Sequence, residues 1–361
     1  MTRTLAHRLH GDPRPRSPRA PRWARRSQAA YPEVMPTSPA WPAARLHVVT
    51  GKGGTGKTTV AAALALSMAS GGRRVLLVEV EERQGIAQLF DTPPLPYEER
   101  RVAVARGGGE VRALAIDVEA ALLEYLEMFY NLKRAGRALR RMGAVDFATA
   151  IAPGLRDVLL TGKIKEAVTR QVKGARAYDA VVVDAPPTGR IVRFLSVTEH
   201  VAGLAKGGPI KTQSDGVMAV LRSSQTAIHI VTVLEDMPVQ ETADAIAELR
   251  AIGLPVGSII VNMARQPLLP LNAMARAASG RLDSTAIAAT LSKVGLDGES
   301  LVGPLLLEAG DHAQGWQGQL ACRARVAELK RLTYELPDLP GPIDTGSLYE
   351  LADSLTQSGI K

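Results

Sequence analysis

From Arg45 onward the chain alternates short apolar runs with longer stretches of helical period. "RLHVVT" (45–50), "RRVLLVEV" (73–80), "VRALAID" (111–117), "DAVVVD" (179–184), "TAIHIVTVL" (226–234) and "GSIIVN" (257–262) are brief and rich in valine, isoleucine and leucine. Runs of this length, apolar at successive positions, predict strands buried on both faces, the habit of parallel sheets. "VRALAID" is then the third strand in chain order. "TTVAAALALSMASGG" (58–72) is Ala/Leu-rich and reads as a helix stopped by Gly71 and Gly72. Residues 118–172 turn helical with a break at Pro153-Gly154, and "VQETADAIAELRAIG" (239–253) is a helix with a glycine stop. Residues 264–335 read as short helices and loops, and 335–355 as a final short strand, a Pro/Gly loop and a closing helix. The strand–loop–helix–strand opening predicts an α/β fold: a mostly parallel, doubly wound sheet flanked by helices, with helical insertions near 118–172 and 264–335. One domain over 45–361 accounts for the pattern.

Composition changes this picture at one end. Residues 1–44 hold eight arginines and no lysine against Asp12 and Glu33, so they carry +6 of the net +8 and leave +2 for the rest. Their Arg/Pro/Ala/Ser content cannot bury enough apolar surface to fold, which predicts a disordered tail. Translation starting at Met35 would remove residues 1–34. Because the basic charge sits in the tail, it does not argue for a nucleic-acid surface on the folded body, and no specific nucleic acid is expected as a partner. Cys322 is the only cysteine. That excludes an internal disulfide, a structural zinc held by cysteines and a self-contained iron–sulfur cluster, and it fits a reducing cytoplasm. No apolar run reaches the length of a membrane span.

The chemistry lies in "GKGGTGKT" (Gly51–Thr58), which fits G-x-x-x-x-G-K-[ST] at every position, with a predicted strand before it and a helix after it. Gly51, Gly53, Gly54 and Gly56, with Thr55 among them, let successive backbone N–H groups converge on phosphate oxygens, and the helix start adds its partial positive charge. Lys57 is expected at the β- and γ-phosphates of ATP, the Thr58 hydroxyl on Mg²⁺ and Thr59 at the α-phosphate. The second half of a magnesium site should be a carboxylate ending a buried strand. Asp184 supplies it, acting through water, and "APPTG" behind it, with Pro187, Thr188 and Gly189, is expected to sense the γ-phosphate. Lys52 is an extra cation at the loop entrance. It is either solvated, bound to its own phosphate, or directed to the phosphates of a facing subunit in the manner of an arginine finger.

The loop is the deviant form of the motif, and its surroundings resemble the arsenite-pump and tail-anchored-protein-targeting ATPases. "DAPPTGRIVRFL" (184–195) is similar to that family's D-T-A-P-T-G-H-T-L-R-F-L. "RVLLVEVEERQGIAQLF" (74–90) stands where the family has V-L-L-x-S-T-D-P-A-H-N-L-S-D-A-F, "VNM" (261–263) resembles V-N-Q/K, and "LPDLPGPIDTGSLYEL" (336–351) is similar to the strand and loop beside the base. Within the family the chain looks like a branch of single-nucleotide-domain actinobacterial proteins named anion-transporter ATPases. The resemblance implies a P-loop NTPase that binds Mg·ATP through Asn262 at the adenine. It also implies a homodimer, or a heterodimer with a paralogue, and a coupling of nucleotide-driven rearrangement to a protein client or membrane-associated partner.

The departures matter as well. Glu81 replaces the catalytic aspartate and is one methylene longer, with Glu79, Glu82 and Gln84 as nearby rivals. Arg190 replaces a histidine. The thiolates of arsenite sensing and the C-x-x-C zinc clasp are absent. "ALLEYLEMFYNL" (121–132) reads as ordinary amphipathic core ahead of a client groove. Glu241-Thr242 matches an E-T expected at a helix start, with a capping or subunit-contact role. His47 and His229 read as packed strand residues, His200 and His312 as surface, and Cys322 as a small buried apolar residue. Beside the ATPase reading stand a nucleotide-dependent scaffold with negligible turnover and a partition-type positioning ATPase.

Overall fold

The computed structural model describes residues 44–130, 154–204 and 209–360, all within the unit Met35–Lys361. The Arg/Pro-rich tail and residues 131–153 lie outside them. Eight strands form one sheet, in the order β10-β9-β8-β1-β7-β2-β4-β3: β1 Leu46–Gly51, β2 Arg74–Glu79, β3 Arg100–Val104, β4 Glu110–Ala115, β7 Ala180–Asp184, β8 Thr226–Thr232, β9 Val256–Ala264 and β10 Thr333–Pro337. Seven of them run parallel, and only β3 pairs antiparallel, with β4. Two further short strands, β5 Gln171–Val172 and β6 Ala175–Arg176, make a separate hairpin at the end of the segment expected to be helical.

The central strands β1, β7 and β8 are buried at every position, as their continuous apolar runs require. Their side chains feed two cores, one on each face. On one face Val49, Val75, Leu77 and Val182 pack under α1 (Lys57–Ala69), α2 (Gly85–Leu89) and α11 (Thr345–Gln357). On the other Leu46, Val48, Leu76, Val78 and Val183 meet α3 (Val118–Tyr130), α4 (Leu155–Thr169), α5 (Thr188–Leu204), α6 (Pro209–Leu221) and α7 (Asp236–Ala251). Helix α1 is apolar on every side because the sheet lies beneath it and α11 covers it, so Val60 through Ala69 are all buried. Its alanines let the helix approach the strands closely, and each larger residue such as Leu64 contributes about 2 kcal/mol of apolar burial.

Three expectations are corrected. "VRALAID" is the fourth strand, because β3 precedes it. That strand begins with Arg100 and Arg101, lies at the sheet edge and is mostly exposed, so it carries little of the apolar signal of a buried strand. Residues 264–335 contain the short helices α8 (Leu271–Ala278) and α9 (Ser284–Lys293), but also a single helix of 31 residues, α10 (Gly298–Glu328). Pro304 and several glycines, residues of low helix propensity, lie inside it. Packing against α8 and α9, with Cys322 and Val326 anchored in the main core, overrides that propensity. Glu241 is not at a helix start. It lies inside α7, and Thr242 bonds back to the Pro238 carbonyl at 2.8 Å.

Candidate functional site

Parallel pairing brings the carboxyl ends of the central strands to one edge. Register places Gly51 beside Val231, Val49 beside Asp184, and Glu79 on the other side of Asp184. Ligands of open α/β sheets bind along that edge. The loop leaves β1 at Gly51, and its geometry explains two glycines. A Cβ on Gly51 would lie 2.2 Å from the Val231 carbonyl oxygen. Gly56 has φ of +81° and a Cβ there would meet Asn262 Nδ2 at 2.3 Å. Asn262, buried at the end of β9, donates to the Thr55 carbonyl at 3.0 Å. In this arrangement its amide supports the loop.

Inside the loop, Thr55 Oγ1 donates to the Lys52 carbonyl at 2.9 Å. Gly53 and Gly54 are exposed at the crest, and α1 starts at Lys57 with no side-chain cap from Gly56. Lys57, Thr58 and Thr59 are half-buried at that helix start. Thr58 Oγ1 donates to Asp184 Oδ2 at 2.7 Å, so the two residues expected to share a cation are brought together. The other oxygen, Asp184 Oδ1, is buried and has no hydrogen-bond partner. Burial pushes the Asp184 carboxyl up to about 6, with Glu79 and Glu81 adding to the rise and Thr58 and Lys57 opposing it. Burial also lowers the Lys57 ammonium from its usual value, against the pull of Asp184 and Glu81. A buried carboxylate oxygen without a partner, next to a hydroxyl, is the donor set a hard divalent cation takes. Magnesium characteristically uses one or two protein oxygens and fills the rest with water and phosphate.

The rivals of Glu81 are committed elsewhere. Glu79 is buried and accepts from Gly85 N and Ile86 N at 3.2 Å each, capping α2. Gln84 exchanges hydrogen bonds with both backbone groups of Leu95. Glu82 pairs with Arg156 at 3.1 Å. Glu81 remains at the site, its carboxylate 3.6 Å from Arg190 and 3.7 Å from Arg83. The segment after Asp184 is moored by Thr50 Oγ1, which donates to the Pro186 carbonyl at 2.7 Å, and α5 begins at Thr188 under turns closed on Pro187 O. Gly189 is exposed with open space around it.

Sequence reasoning missed the partner of Lys52. Its Nζ donates to Glu241 Oε1 at 2.5 Å, and Glu241 Oε2 accepts from Thr188 Oγ1 at 3.2 Å. Only spatial proximity across 189 positions reveals this contact. His47 and His229 are buried as expected, stacked with ring centroids 5.3 Å apart and joined by a 3.0 Å bond. Cys322 is buried, and burial raises its thiol. His312 is half-buried and its Nε2 accepts from Leu268 N at 3.2 Å; the side chain of His200 lies outside the described residues.

A glycine-rich phosphate loop at the carboxyl edge of a parallel, doubly wound sheet defines a P-loop NTPase fold. Residues 44–212 match the family model described as anion-transporting ATPase. ATPase BagA of Mycobacterium tuberculosis is 57% identical over 336 residues, covering 90% of this chain and 97% of that protein. ATPase GET3 of Kluyveromyces lactis is 26% identical over 249 residues, covering 59% of this chain and 70% of that protein. The arsenical pump-driving ATPase of Escherichia coli is 26% identical over 243 residues, 59% of this chain and 38% of the pump protein. The chain belongs to the anion-transporting ATPase family. Among the described residues no helix is long and apolar enough to cross a membrane.

Proposed function

We propose that this chain is a Mg·ATP-hydrolysing ATPase that dimerises around its nucleotide and couples the rearrangement to a protein client or membrane-associated partner in the cytoplasm. The observation that carries the reading is the 2.7 Å contact between Thr58 and Asp184 under the loop, with the second Asp184 oxygen buried and unpartnered. The loop N–H groups from Gly51 to Thr59 would hold the phosphates, Lys57 would neutralise the β- and γ-oxygens, and Asn262 would stand beside the adenine. Magnesium, held by Thr58 and through water by Asp184, would offset the charge on the phosphates. Glu81 would orient the attacking water and accept its proton. Arg190 and Arg83, at 3.6 and 3.7 Å from its carboxylate, would aim it. Lys52 would reach a neighbouring protomer's phosphates as charge develops on the leaving oxygen.

Calorimetry with Mg·ATP, followed by phosphate release, tests the reading. Binding is expected, with turnover lost in Lys52→Ala at little cost in affinity, and ATP held in a closed dimer by Glu81→Gln. Full activity in Lys52→Ala would end the trans role, and absence of binding by the folded protein would end the whole reading. The clamping of Glu81 between Arg83 and Arg190 also favours a second reading, a scaffold that binds nucleotide and barely turns over; magnesium-dependent binding without phosphate release would select it.

A further inference from the structure

The carboxylate of Glu241 serves two elements at once. Oε1 takes Lys52 Nζ from the phosphate loop at 2.5 Å, and Oε2 takes Thr188 Oγ1 from the first residue of α5 at 3.2 Å. Its backbone is fixed, since α7 buries Val239, Thr242, Ala245 and Ile246 against the sheet. The lysine and glutamate side chains remain about one third exposed, at 30% and 35%, so the pair can open without unpacking the core. A lysine held on its own protomer's α7 is not available to a facing protomer. We propose that Glu241 is a positioning residue: a latch that holds Lys52 within its own protomer, so that assembly of the nucleotide-bound dimer exchanges this carboxylate for a phosphate of the neighbouring copy. This rests on the dimeric ATPase reading above.

The physics favours a two-state device. One ion pair replaces another, so neither arrangement leaves the ammonium unpaired, and the gap between them stays small. Because Thr188 shares the carboxylate, release of Lys52 and reorientation of the switch segment are coupled through one side chain. The latch acts only on the unassembled protomer and therefore opposes association. A partly exposed pair of this kind changes an equilibrium by about two- to fivefold. Two protomers must each release one, so the dimer dissociation constant carries the factor twice, about 4- to 25-fold.

The test uses Mg·AMP-PNP with the full chain. Calorimetry at protein concentrations below assembly reads nucleotide affinity, and sedimentation velocity at saturating nucleotide reads the dimer constant. Glu241→Gln is expected to bind AMP-PNP within about twofold of wild type and to dimerise about 4- to 25-fold more tightly. Glu241→Asp, which keeps the charge, should restore wild-type assembly. In a Lys52→Ala background, Glu241→Gln should change nothing, an epistasis that a merely structural residue would not show. Normal AMP-PNP binding with an unchanged or weaker dimer in Glu241→Gln, or the same gain in the Lys52→Ala background, would overturn the latch and leave the ATPase reading standing. Failure of the wild type to bind AMP-PNP would instead remove that reading and the latch with it.

Discussion

Neutralising Asp184 should stabilise this protein while disabling it. The folded carboxyl sits at about 6 against an ordinary 3.8, chiefly because it is buried. A raised folded value means that between pH 4 and 6 the folded chain holds a proton that the unfolded chain has released. Stability from this group is therefore full below about pH 4 and is lost as pH climbs through 6. About two units at 1.36 kcal/mol each amount to about 3 kcal/mol of destabilisation at pH 8. Asp184→Asn removes the charge and keeps an acceptor for the Thr58 hydroxyl. Its amide would place N–H donors where Oδ1 already lacks a partner, which costs about 1 kcal/mol. The net gain at pH 8 is about 2 kcal/mol. Urea unfolding with a chelator and without nucleotide measures it, and the advantage should shrink to nothing or reverse by pH 4. With Mg·ATP at a hundred times its Kd, wild type should gain about 2.7 kcal/mol and the variant far less, so the order of stabilities inverts. A variant less stable than wild type at pH 8 without ligand, or an advantage independent of pH, would refute the reasoning.

Gly56→Ala forces a methyl group into a left-handed position 2.3 Å from Asn262 Nδ2, at about 1–2 kcal/mol of backbone strain, so Mg·ATP affinity should fall about tenfold by calorimetry; unchanged affinity would show that the loop relaxes freely. Burial lowers His47 to about 4 and His229 well below its usual value, so their contribution to stability is full above about pH 6.5 and is lost as pH falls toward 4. Urea midpoints of the Asp184→Asn variant, which removes the opposing carboxylate, should fall across that window, and a flat profile would count against neutral buried rings. Phe194→Ala empties a fully buried site and should cost about 3–5 kcal/mol in the same assay; a loss under 1 kcal/mol would mean the core collapses around it.

The primary sequence determined the elements whose signal is local. Continuous apolar runs gave the buried strands, because a parallel strand covered on both faces has no polar side to show. The spacing of glycines, Lys57 and Thr58 gave the loop, because phosphate binding is done by adjacent backbone amides. Asp184 was legible as a carboxylate ending a buried run. What failed locally was what packing decides. β3 has an exposed edge and a weak pattern, and α10 runs through Pro304 because α8, α9 and the main core hold it. The tertiary structure alone showed that Glu79 caps α2, that Gln84 is bonded to Leu95 and that Glu82 pairs with Arg156. It alone joined Lys52 to Glu241, because an ion pair between a loop after β1 and the middle of α7 has no periodicity or spacing for a linear pattern to carry.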